Sequence, residues 1–130
     1  MATHLSMEVP AAAAAVAGAR FAVTRLCERL GLGLDLTERI RLAATEACTN
    51  CVLHAYDGEG PNATFALDAR VEGDVLVLVV RDHGHGLLST RPRADTLRLG
   101  LKLIEELADS ASVSSSPGNG TRVAMRFALS

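Results

Sequence analysis

The chain has 130 residues, 48% of them hydrophobic, and its 13 Lys and Arg against 15 Asp and Glu leave a net charge of −2. That length fits one domain able to bury roughly two-thirds of its unfolded surface. The near-neutral balance and 3% aromatics without Trp exclude a basic track for nucleic acid, an anionic-membrane patch and a base-stacking platform. Ala11–Ala19, the longest uncharged apolar stretch, falls short of the ~18 residues a membrane span needs. No Lys or Arg precedes Arg20, so a signal peptide is not expected either. Three cysteines, two of them close together, argue against a disulfide-built secreted domain and for a reducing cytoplasm.

His4–Val9 alternates, with Leu5, Met7 and Val9 on one face, and reads as a short edge strand. Pro10 suits the start of a helix. Val16, Val23, Leu26, Cys27 and Leu30 carry that helix's apolar stripe, and Gly31 and Gly33 end it. A second helix starts after Asp35 or Thr37, either of which can cap it, and runs to about Tyr56. Asp57-Gly58-Glu59-Gly60-Pro61 is a turn by composition. Phe65, Leu67, Ala69 and Val71 alternate as a strand with one dry face. After a turn at Glu72-Gly73-Asp74, Val75–Val80 is apolar throughout, as expected of a deeply buried central strand. His83–Leu97 reads as a loop. Leu99, Leu101, Leu103, Ile104 and Leu107 support a third helix to about Asp109. Ala111–Ser115 is a weak strand, Pro117–Gly120 a turn, and Val123, Met125, Phe127 and Leu129 a final strand. The order β-α-α-β-β-α-β-β predicts an α+β two-layer sandwich: a mostly antiparallel mixed sheet of about five strands, three helices on one face.

The second helix holds the least ordinary pattern. With Leu36 at zero and about 100° per residue, Leu36, Ile40, Ala43, Ala47 and Cys51 share one apolar face. Leu42 and Leu53 lie on the far side of a narrow polar strip made of Arg39, Glu46 and Asn50. Glu46 and Asn50 are neighbours one turn apart. A carboxylate and an amide in such a cleft need partners. The strip is either a Glu46–Arg39 pair sealing the helix, or a site. Glycines mark three further places: Asp82-His83-Gly84-His85-Gly86 after the central strand, Gly100-Leu101 at the expected start of the third helix, and Gly118-Asn119-Gly120-Thr121 before the last strand. A helix N-terminus with a glycine offers N–H groups to an anion.

Glu46-Ala-Cys-Thr-Asn50 with His54-Ala-Tyr56, then Asp82-x-Gly84-x-Gly86, Gly100-Leu101 and Gly118-x-Gly120-Thr121, resembles the GHKL (Bergerat-fold) ATPase domain over essentially the whole chain. The Glu-x-x-x-Asn helix running into His-Ala-Tyr is most similar to the anti-sigma-factor serine/threonine kinases. That resemblance implies ATP and Mg²⁺ as cofactors. Asn50 would ligate the metal through a hard oxygen. Glu46 would be general base toward the attacking hydroxyl. Asp82 would accept a hydrogen bond from the adenine amino group, with Thr121 supporting it through a water. Gly84, Gly86 and Gly120 would let the backbone pass close to the nucleotide. Gly100 and Leu101 would offer N–H groups to the phosphates. The implied reaction moves the γ-phosphoryl group to a serine of an anti-anti-sigma (STAS-type) partner, in a partner switch that also holds a sigma factor.

Arg98 stands where the family usually has a glycine, gripping a phosphate or blocking the backbone's approach. The segment Leu87–Leu97 is short for a lid over ATP, which loosens nucleotide retention. These departures set a second expectation beside the kinase: a nucleotide-binding regulatory module with little or no turnover. Cys48 and Cys51, mid-helix without a second Cys pair, are expected to pack in the core rather than bind metal. His83 and His85 read as loop residues near the pocket, and Lys102 as either a phosphate counter-charge or a solvated residue. A cytoplasmic single-domain module, with homodimerisation by analogy and no direct contact with nucleic acid or membrane, completes the expectation.

Overall fold

The computed structural model describes residues 4–55, 63–82, 94–116 and 120–130. In chain order the elements are β1 (His4–Pro10), α1 (Ala13–Arg29), α2 (Leu34–Ala55), β2 (Thr64–Glu72), β3 (Val75–Asp82), α3 (Ala94–Leu107), β4 (Ser110–Ser116) and β5 (Gly120–Ala128). The five strands form one sheet in the order β1-β2-β3-β5-β4. Every pairing is antiparallel, so the sheet is not mixed. The α+β two-layer arrangement is thus as the sequence predicts.

The alternating strands turn Leu5, Met7 and Val9, then Phe65, Leu67 and Ala69, then Leu76, Leu78 and Val80, then Val123, Met125 and Phe127 toward the helices. Val23, Leu26 and Cys27 of α1 and Ile40, Ala43, Ala47 and Cys48 of α2 complete this core. The small residues on α2 let it lie close to the sheet. α1 ends in a Schellman arrangement: Gly31 at φ 69 donates its N–H to Glu28 O, and Leu32 donates to Cys27 O.

The structure corrects four boundaries. Pro10 closes β1, opposite Thr64 on the sheet edge, and α1 begins at Ala13; an edge strand tolerates a proline because its N–H side faces solvent. α2 begins at Leu34, so Asp35 lies inside its first turn, where a carboxylate suits the helix dipole, and Thr37 donates its N–H to Gly33 O. β3 extends through Asp82. α3 begins at Ala94 instead of near Leu99, because the sequence spacing Leu97, Leu101, Ile104, Ala108 carries the helical stripe a turn further back. The expected turns at 57–61 and 117–119 and the remainder of the expected 83–97 loop lie outside the described residues.

Candidate functional site

The polar strip of α2 is the seat of α3. At one end Arg39 Nη1 donates to the Leu107 carbonyl at 3.0 Å. A guanidinium thereby supplies the positive charge that the last turn of α3 lacks. This corrects the Glu46–Arg39 pairing: the arginine is drawn to the unsatisfied carbonyl end of α3, and Glu46 has no ion-pair partner among the described residues. At the other end α3 crosses Glu46 and Asn50 at Gly100. A methyl carbon there would sit 3.0 Å from both Glu46 Oε1 and Asn50 Nδ2, and 3.2 Å from Asn50 Oδ1. A side chain at this position would press on both groups, so glycine lets the helix rest on the pair without displacing them.

Gly100 and Leu101 therefore lie inside α3, in its second turn, with their N–H groups committed to the helix; they are not the bare N-terminal donors expected from the sequence. Leu101 packs against the core. Arg98 belongs to α3, its side chain outside the described set. Lys102 is exposed. Asn50 is 7% exposed, and its Nδ2 finds no hydrogen-bond partner among the described residues. Such a group costs about 1–3 kcal/mol, which a packing role alone would not retain. The orphaned Nδ2 is a donor and suits an anionic oxygen such as that of a phosphate, while Asn50 Oδ1 and the Glu46 carboxylate, which has no cation on it among the described residues, are hard oxygens that fit Mg²⁺.

The second half of the site lies where β3 ends. Asp82 is buried, and its Oδ1 accepts the Thr121 N–H at 3.2 Å across the β3–β5 pair. Gly120, at φ 78, packs directly on Asp82: a Cβ would fall 2.1 Å from the Asp82 carbonyl oxygen. The sequence reading missed Cys51. This thiol, next after Asn50, is hydrogen-bonded to Asp82 and links the two halves. Burial first, then the charge of Asp82, hold it well above its ordinary value of 9.0. Only the sheet register that brings the end of β3 beneath α2 reveals this contact. The structure thus gathers Glu46, Asn50 and Gly100 in one group and Asp82, Gly120 and Thr121 in another, joined through Cys51. Gly84, Gly86, His83 and His85 lie outside the described residues. Cys48 and Cys51 are both buried and unbridged.

The profile of the histidine kinase-like ATPase domain matches residues 9–127. The chain belongs to this family. Among curated relatives of the histidine kinase-like ATPase domain, it is 30% identical to an anti-sigma F factor of Oceanobacillus iheyensis, over 86% of this chain and 83% of that one. An anti-sigma F factor of Clostridium kluyveri is 29% identical over 83% of this chain and 82% of the relative. The fold is shared with the crystal structure of the RsbU and RsbW domains of a Mycobacterium tuberculosis protein, at TM-score 0.79 and 20% identity over 98% of this chain. This chain spans 32% of that one. A histidine kinase domain of Erythrobacter litoralis gives a TM-score of 0.64 over 93% of this chain and 62% of that one. No described helix is long and apolar enough to cross a membrane.

Proposed function

We propose that this chain is an ATP- and Mg²⁺-dependent serine kinase of the anti-sigma type, acting in the cytoplasm. It transfers the γ-phosphoryl group of ATP to a serine of an anti-anti-sigma partner and holds a sigma factor in the resulting partner switch. Homodimerisation follows by analogy with relatives. The observation that carries this reading is the Glu46–Asn50 pair: among the described residues, a carboxylate with no cation on it and an amide with an unmade bond, one turn apart under Gly100.

Asn50 would hold Mg²⁺ through its side-chain oxygen. The bound ion would neutralise charge on the phosphates. Glu46, freed of Arg39, takes the proton of the partner's serine hydroxyl as it attacks. Asp82 accepts from the adenine amino group; guanine presents a carbonyl there and is repelled. The Thr121 N–H fixes the orientation of the Asp82 carboxylate.

The test is calorimetric titration with ATP and ADP, with and without Mg²⁺, beside Asp82→Asn and Glu46→Gln. Wild type should bind, Asp82→Asn should abolish binding, and Glu46→Gln should keep it while losing phosphorylation of the partner. Phosphorylation by Glu46→Gln at the wild-type rate overturns the base assignment. Stoichiometric nucleotide binding with no phosphoserine in wild type replaces the kinase with a nucleotide-gated binding module.

A further inference from the structure

The face of the sheet turned away from the helices is not an ordinary solvated surface. Val77, Val79 and Ala124 on this face are 3%, 6% and 9% exposed and form a small cluster with Val75, separate from the main core. No described helix packs on this cluster. A cavity of about 230 Å³ opens over this floor, walled by Asp68, Arg70, Arg81 and Arg122.

The charges around the floor are unbalanced in a specific way. Arg81 and Arg122 stand directly opposite each other on the central strands β3 and β5, and Arg126 faces Val77. Like charges in such cross-strand positions destabilise a sheet. Among the described residues none of the three has a carboxylate within ion-pair distance. Of the acidic residues on the same face, Glu72 is held by the Arg70 guanidinium, whereas Asp68 accepts the Ser6 hydroxyl and Glu8 the Thr64 hydroxyl and both keep their charge.

We propose that this reverse face docks an acidic segment of a protein partner. The segment lays one or two apolar side chains on the Val77–Val79–Ala124 floor and sets carboxylates against Arg81, Arg122 and Arg126. A second copy of this chain is the poorer occupant: a two-fold contact brings the same patch to itself, and among the described residues Arg81, Arg122 and Arg126 outnumber Asp68 and Glu8, the carboxylates of the face that no cation holds. A nucleic-acid backbone is poorer too, because Asp68 and Glu72 interrupt the basic track and the floor is aliphatic. The surface stands independently of the nucleotide reading. Arg81 and Arg122 adjoin Asp82 and Thr121 in the chain but face the other way, which leaves the helix side of the sheet open while a partner is docked.

The probe is a fluorescein-labelled random copolymer of glutamate and tyrosine, with polyglutamate as the apolar-free control, titrated into the full chain by fluorescence anisotropy. Wild type should bind the copolymer more tightly than polyglutamate, and less tightly as salt is raised. Arg122→Glu should weaken copolymer binding about tenfold or more, and Arg81→Glu likewise. Arg29→Glu, at the end of α1, should not. Arg122→Glu also replaces a like-charge pair by an opposite-charge pair with Arg81, so it should raise the melting temperature by about 2 °C while it destroys binding. A merely structural arginine would not move the two readouts in opposite directions. If Arg122→Glu lowers the melting temperature, Arg122→Ala replaces it in the binding comparison. The proposal is overturned by absent copolymer binding, by equal losses in Arg122→Glu and Arg29→Glu, by a duplex DNA oligonucleotide binding better than the copolymer, or by a dimer in solution that Arg122→Glu dissociates.

Discussion

Replacing Gly120 by alanine should be among the costliest single-methyl additions available to this chain. Two effects add. The residue holds φ 78, and a side chain in left-handed backbone costs about 1–2 kcal/mol. The new Cβ would also stand 2.1 Å from the Asp82 carbonyl oxygen and 2.8 Å from its carbon. Because those are backbone atoms, β5 has to move off β3 to make room, at about 1–3 kcal/mol by the usual scale of overpacking. The expected loss is therefore about 2–5 kcal/mol out of a total stability of about 5–15. Gly31→Ala isolates the first effect: its φ is 69 and nothing lies within 4 Å of the added carbon, so only about 1–2 kcal/mol should be lost. Urea denaturation of both variants at equal m reads the difference directly. If Gly120→Ala loses no more than Gly31→Ala, the close approach of β5 to Asp82 is not a constraint on the fold.

Asn50→Leu removes the buried amide with its unmade bond and should raise stability by about 1 kcal/mol while abolishing Mg²⁺-dependent nucleotide binding; a less stable variant would mean that the amide is satisfied in solution. Burial pushes the Cys48 thiol from its ordinary 9.0 up to about 12, and Cys27 and Cys51 are raised by the same cause. The Cys48 thiol contributes stability in full below about pH 9, and this contribution drains away as pH climbs toward 12, at about 1.4 kcal/mol per pH unit, with Cys27 and Cys51 acting in the same direction. Urea midpoints from pH 8 to 11 should fall, less steeply in Cys48→Ala; a flat profile would show these thiols open to solvent.

Most of the sheet was legible because its signal is local. The period-two alternation of β2 and β5 and the unbroken Val75–Val80 run each identify a strand without reference to the rest of the chain. What the sequence leaves ambiguous is settled at a distance. Leu97 belongs by spacing to either a loop or a helix, and the structure places it in α3. Arg39 sits about two turns from Glu46 on the same strip, and nothing in that spacing reveals that the carbonyl end of α3 will arrive to claim it. Gly100 read as a helix opening because the leucine spacing begins at Leu99 and a glycine there leaves N–H groups bare for an anion; its actual use, a bare stretch of helix resting on Glu46 and Asn50, exists only once two helices cross. The members of the site were visible as motifs, whereas their division into two groups joined through Cys51 was not.

The sheet order also fixes a sequence of events in assembly. β2 and β3 are joined by the tight Gly73–Asp74 turn, and β4 and β5 follow each other closely, but β1 pairs with β2 across residues 11–63. Closing that span costs about 3 kcal/mol more chain entropy than closing the short turn. During synthesis the first strand to leave the ribosome waits, at ~5–20 residues per second, several seconds before its neighbour exists. Its alternating Leu5, Met7 and Val9 therefore meet the cell unpaired. The proline at its end is the feature of β1 that opposes pairing with another chain during that interval.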